Sequence, residues 1–279
     1  MRAFVVRNLV KNREWLENGS LALVLPFVTG SVNASGFFIV GAYTSHVTGS
    51  VARAGDEAAQ GHLFVAARAL FLVLVFFLGA VLATALVARA GRDNRARYVS
   101  ALLAEAMMLL VVTLLGVMEP KGVPFLQEVT TSLLCLAMGV QNSLVTALSG
   151  AVVRTTHLTG VVTDLGIETV QAWEWLRQAS GLTFRQRLRA VVRGRNVPVL
   201  NRLRLHAGIF FSFLTGAVVG PLLYLRQGFA SMLVPVIVLL GLVFFDSVVG
   251  LRSHQDVGQS PQPPAPPPLD PPPPTPPLN

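Results

Sequence analysis

The sequence predicts an all-α integral membrane protein whose six transmembrane helices form two three-helix repeats of inverted topology. Three observations carry that expectation. The 279 residues are 52% hydrophobic and only 13% charged, where a soluble domain carries roughly 25%, and mean hydropathy is +0.59. Six stretches are long and apolar enough to cross about 30 Å of hydrocarbon, which takes about 20 helical residues. Three short motifs also recur, each once and in the same order.

Taken in order, the chain opens with a basic leader, residues 1–19, carrying Arg2, Arg7, Lys11 and Arg13. The apolar run behind it is too long for a cleaved signal and shows no small-x-small cleavage site, so it reads as a retained anchor. The spans fall near 20–41, 63–88, 99–118, 129–150, 206–225 and 231–251. Lys and Arg alternate in density between the connections. Eighteen lie in the leader, the 89–98 loop, the 151–205 loop and the tail, against four in the other connections. Cytoplasmic loops retain positive residues, so both termini are expected inside. Topology thus accounts for the net charge of +8, and no nucleic-acid partner is expected. Residues 252–279 form a proline-dominated tail, expected to be disordered and to sample polyproline II conformations.

The repeat sets the architecture. Gly30-Ser31-Val32-Asn33 returns as Gly139-Val140-Gln141-Asn142, and Thr44–Gly49 (TSHVTG) returns as Thr155–Gly160 (TTHLTG). Phe76-Phe77-Leu78-Gly79-Ala80-Val81 returns as Phe213-Leu214-Thr215-Gly216-Ala217-Val218. The first two motifs recur at offsets of 109 and 111, the third at 137. The second copy, 119–251, therefore holds an insertion of about 26 residues relative to the first, 20–118; it falls in the basic loop, at about 166–204. Three spans per unit is an odd number, so the second unit enters the membrane from the opposite side. Such inverted repeats are common in secondary transporters.

The stretch from Ala137 to Asp164, with Met138–Asn142 and Arg154–Gly160, resembles the YoaK family, also called DUF1275. The Thr44–Gly49 motif and the Gly79-Ala80 and Gly216-Ala217 helices are similar to it as well. The resemblance spans roughly residues 20 to 251 and implies a bacterial inner-membrane protein. It assigns no biochemical role. Phe or Met often stands in that family where this chain has His46 and His157, so a histidine mechanism does not extend to the family.

Candidate residues follow from polarity inside the spans. Asn33 and Asn142 lie mid-span, each three residues after a glycine (Gly30, Gly139), with Gln141 beside the second. They are expected to face a shared substrate site, or else to hydrogen-bond neighbouring helices. The motif residues His46, Thr48 and Gly49, with His157, Thr159 and Gly160, are expected either to gate opposite mouths or to cap helix ends. Histidines on opposite faces cannot share one ion, so no metal site is expected. Glu105 and Asp246 are the acids placed well within spans, which makes them candidates for proton coupling; Arg97 or Arg252 are alternative partners for them. Asp164 and Glu168 are read as local salt-bridge residues beside Arg154. Gly208, Ser212, Gly216 and Gly220, spaced by four, and Gly79 with Ala83 are read as helix-packing faces. Trp173 and Trp175 mark an amphipathic stretch on the inner surface.

No Walker A, His-Glu-x-x-His, Gly-x-Ser-x-Gly or dinucleotide fingerprint occurs in the sequence. The lone Cys135 permits no intramolecular disulfide. Neither an enzyme nor a cofactor is expected. The favoured function is a small-solute transporter, proton-coupled through Glu105 and Asp246. The alternative is a scaffold or sensor recruiting partners through the basic loop and tail. Three spans per unit also leave room for a homodimer.

Overall fold

A computed structural model describes residues 23–91, 98–118, 124–148, 158–178 and 197–249. The expectations for the leader, His157 and the proline-rich tail lie outside these residues. Among the described residues the fold is all-helical: α1 (Leu23–Val40), α2 (Val47–Ala59), α3 (Leu63–Ala90), α4 (Val99–Met118), α5 (Pro124–Leu148), α6 (Leu158–Gln178), α7 (Pro198–Gln227) and α8 (Leu233–Val249). A 3-10 turn, Gly228–Met232, joins α7 to α8.

Five segments are long and apolar enough to cross a membrane: Leu23–Val40, Leu63–Ala90, Val99–Met118, Phe125–Ala147 and Pro198–Phe244. This is the profile of a multi-pass membrane protein. The stretch expected at 206–225 and the first part of that at 231–251 fall in the last segment, which is 47 residues long. Gly228 breaks that run; its φ of +59° lies in the left-handed region that a side chain disfavours.

Polar backbone must be satisfied within a segment in lipid, which favours helix wherever Leu, Val, Ala and Phe run together. Burial then sorts the helices. Of the spanning windows, 61% of α5 and 56% of α1 are buried, against 17% of α3. The centre is therefore built on α1 and α5, with α3 at the rim presenting Phe71, Leu74, Phe77 and Leu78 outward. Leu25, Val28 and Val32 of α1 join Leu134, Met138 and Leu144 of α5 and Leu102, Leu109 and Val112 of α4 in one core.

The pairwise packing is specific. α1 lies on α7, α3 on α5, and α4 on α5 and α8. α2 packs on α3, and α6 on α7. The 30 residues of α7 and 28 of α3 make helices of about 45 and 42 Å at 1.5 Å per residue, well beyond the hydrocarbon thickness. Each of these long helices carries a shorter one. α2 lies between the stretches expected at 20–41 and 63–88. α6 contains the stretch expected to be amphipathic around Trp173; Val161, Glu168 and Ala172 are buried, while Val162, Ile167, Val170 and Trp173 are exposed. The helix runs unbroken through residue 166.

Candidate functional site

The repeat glycines are where helices touch backbone to backbone. A Cβ on Gly30 would land on the Phe213 carbonyl of α7 and lie 3.0 Å from the Ala217 nitrogen. A Cβ on Gly139 would land on the Phe76 carbonyl of α3 and lie 3.1 Å from the Ala80 nitrogen. The reverse contacts match too. Gly216 sits on the Phe27 carbonyl, with the Ser31 nitrogen at 3.0 Å, and Gly79 on the Leu136 carbonyl, with the Val140 nitrogen at 3.1 Å. Every member of one crossing is the repeat counterpart of a member of the other: Phe213 of Phe76, Ala217 of Ala80, Leu136 of Phe27, Val140 of Ser31.

The stripe at Gly208, Ser212, Gly216 and Gly220 lies on α1. Gly208 meets the Leu23 side chain, Gly220 meets Ser31 and Ser35, and the Ser212 hydroxyl donates to the Leu23 carbonyl. On the other crossing, Gly79 and Ala83 of α3 are buried, and the hydroxyls of Thr84 and Ser143 are 2.9 Å apart. Small residues let helices approach closely in lipid, where no hydrophobic force drives them together.

Asn33 holds a turn of chain. After α1, Gly41 adopts φ +71° and the backbone folds back. The Thr44 side chain then packs over Gly36 and the Ser45 amide donates to Asn33 Oδ1 at 3.1 Å. His46 follows as the residue before α2, with no side-chain capping bond to the helix. The motif spacing has another cause: the His46 ring lies over Gly49, where a Cβ would collide with it. Thr48 is exposed, as are Thr159 and Gly160 at the start of α6.

A cavity of about 20 Å³ adjoins this turn, lined by Thr44, His46, Ser50, Phe76, Thr131 and Cys135 among others. That is room for one water. Thr44 is buried and its hydroxyl has no partner. The cavity lies one helical turn from the Gly79–Gly139 crossing, since Phe76 belongs to both.

Gln141 is fully buried, and its Nε2 donates to the Leu25 carbonyl of α1 at 3.0 Å. Its Oε1 has no partner. The amide therefore bridges the two central helices with an acceptor to spare. Asn142, the next residue, is half-buried, and its carbonyl accepts the Thr146 hydroxyl at 2.8 Å. Glu105 is also fully buried on α4, with neither carboxylate oxygen hydrogen-bonded. Asp246 lies on α8, but its side chain is outside the described residues.

The expected partner of Glu168, Arg154, lies outside the described residues. Among the described residues Glu168 reaches α7. Its Oε2 is 2.9 Å from His206 Nδ1, both side chains being buried, and its Oε1 is 3.7 Å from Arg202 Nε. Glu57 on α2 does likewise, with His62 Nδ1 at 2.9 Å and Arg53 Nε at 3.6 Å. The sequence carried a signal for this pairing. Glu57 stands eleven residues after His46 and Glu168 eleven after His157, with Gly55 and Gly166 also in register. The second repeat motif is thus longer than the six residues first recognised. Among the described residues, no three His, Cys, Asp or Glu side chains group as metal ligands do.

Five apolar helical segments long enough to span a bilayer, packed through close glycine crossings, define a class: a multi-pass helical membrane protein. A family model described as "Protein of unknown function (DUF1275)" matches residues 21–245, and the chain belongs to that family. No curated protein and no solved structure matches the chain.

Proposed function

We propose that the protein is a small-solute transporter of the bacterial inner membrane, with six spans arranged as two inverted three-helix repeats and both termini cytoplasmic. One observation carries the reading: the two glycine crossings are the same contact made twice, with the units exchanged. Mapping the first unit onto the second takes α1 to α5 and α3 to α7, and the α1–α7 contact then becomes α5–α3. A translation along the chain would not return the second unit to the first, whereas a two-fold axis does. With three spans in each unit, that axis lies in the membrane plane, the symmetry on which alternating access is built.

The substrate site is placed between the central helices, at Asn33, Gln141 and Asn142, flanked by Gly30 and Gly139. The spare acceptor of Gln141 and the folded-back turn held by Asn33 support it, since irregular backbone at membrane depth persists where protein or a water-filled cavity receives it. Glu105, buried on α4 without a partner, supports a coupling role, because an ionisable group in a membrane span is costly and so marks a functional position. The smooth glycine crossings supply surfaces on which one unit can rock against the other.

Proteoliposome flux, measured across a metabolite panel with and without a pH gradient, tests the reading. Asn33→Leu with Asn142→Leu is expected to abolish uptake while thermal unfolding stays cooperative. Uptake unchanged in that double variant removes the site assignment. Absence of uptake for every solute, in a folded preparation, moves the reading to a scaffold recruiting partners through the basic loop.

A further inference from the structure

The Glu168–His206–Arg202 cluster is absent from the transport site just described, and it has a chemistry of its own. His206 and Glu168 face each other across the α6–α7 contact, with only 8% and 7% of their side chains exposed. A buried ionisable pair between two helices is expensive to keep, and removing one partner typically strands the other charge. The charged groups around His206 are few. On α6, Asp164, Glu174 and Arg177 are exposed, with Asp164 one turn before Glu168, and Glu168 is the charged residue buried against α7. On α7, Arg202 lies one turn before it and contacts the same carboxylate, while Arg204 engages Asn201 at 3.4 Å. The described part of α1 and the 3-10 turn, the other elements against α7, carry no titratable side chain.

The same three residue types gather on the first repeat, where Glu57 meets His62 and Arg53. The two glutamates are repeat counterparts, but the histidines come from different places, the linker before α3 and the body of α7. Two units have thus arrived at one arrangement, a carboxylate on the short helix holding an imidazole from the long one or its linker.

We propose that His206 is a proton-binding site, and that the bound proton clamps α6 onto α7 and couples that movement to transport. With a neutral ring, Nδ1–H donates to Glu168. A proton taken from solvent by the second ring nitrogen makes the imidazolium, and the same contact becomes a charge-assisted bond of roughly twice the strength. Loss of the proton returns the contact to the weaker neutral hydrogen bond and loosens the clamp, with Arg202 still beside the other carboxylate oxygen. The coupling half rests on the transporter reading above; the proton-binding half stands without it.

The test uses the full chain in nanodiscs, with ¹⁵N-labelled histidine followed from pH 5 to 8.5. Five histidines contribute signals, and H206Q identifies the one from α7; if that variant does not fold, replacing the other four assigns it by elimination. The expected result is a His206 signal that titrates within the range. After correction for intrinsic exchange, α6 amides should exchange about tenfold more slowly with the proton bound, a difference that E168Q removes. A signal constant across the range, or the same pH response of α6 in E168Q, overturns the proposal. Flux measured on the same preparations separates the two readings. Titration without flux keeps the proton site and removes coupling; flux without titration removes the proton site and keeps the transporter.

Discussion

The matched crossings predict matched energetics. Gly30→Ala drives a methyl into the Phe213 carbonyl, and Gly139→Ala drives one into the Phe76 carbonyl. In both cases the obstacle is helix backbone, which cannot rotate aside, so the two helices must separate. Overpacking of this kind costs about 1–3 kcal/mol; the helix propensity of alanine over glycine returns up to about 1 kcal/mol. The net expectation is a loss of about 1–2 kcal/mol for each, equal within about 0.5 kcal/mol because the surroundings agree residue by residue. Gly55 and Gly166 provide internal controls. They are also repeat counterparts within helices, but nothing lies within 4 Å of the added carbon. Alanine there should be neutral or stabilise by up to about 1 kcal/mol. The assay is thermal unfolding in nanodiscs, where 1 kcal/mol corresponds to about 2–4 °C for a chain of this size. If Gly30→Ala melts with Gly55→Ala, or if Gly30→Ala and Gly139→Ala part by more than about 0.5 kcal/mol, the reasoning from close approach and equivalence fails.

Three other outcomes follow from individual contacts. Asn33→Ala removes the acceptor of the Ser45 amide and should cost about 1–2 kcal/mol, while Asn33→Asp keeps the acceptor; hydrogen exchange at Ser45 should rise for alanine alone. Gln141→Leu removes one hydrogen bond and one unsatisfied oxygen together, and the Leu25 carbonyl still accepts the Thr29 hydroxyl at 2.9 Å. Its melting temperature should therefore change by the equivalent of less than about 1 kcal/mol, so any loss of flux reads as function. Arg68→Ala breaks the exposed pair with Glu128, whose nearest Nε contact is 3.1 Å; a cost below about 1 kcal/mol that fades with added salt is expected.

The large-scale organisation was legible because lipid imposes strong rules on composition. Apolar length located the helices, and the spacing of Gly208, Ser212, Gly216 and Gly220 identified a packing face before its partner was known. Repetition also picked out Gly30, Gly79, Gly139 and Gly216, though spacing alone does not say which glycine meets which helix. The short helix α2 was not legible because its 13 residues are too few and too polar to resemble a span, and what holds it is packing on α3. His62 and His206 escaped notice for a related reason. The repeat registers their glutamate partners but not the histidines, which approach from non-equivalent positions. The roles of Asn33 and Gln141 were half visible: an amide in a span announces a polar contact, but only the fold reveals that one holds a turn and the other joins two central helices.

The exchange of partners between the two halves also bears on how the molecule is made. When α1 leaves the ribosome, the helix that fits its glycine face is α7, about 175 residues later in the chain. Likewise α3 must wait for α5. Neither half can complete its own glycine crossings, so these contacts form only when the other half arrives. Assembly in the bilayer therefore resembles the association of two subunits carried on one chain. A break placed between α4 and α5 would sever the polypeptide without touching any of the four glycine contacts.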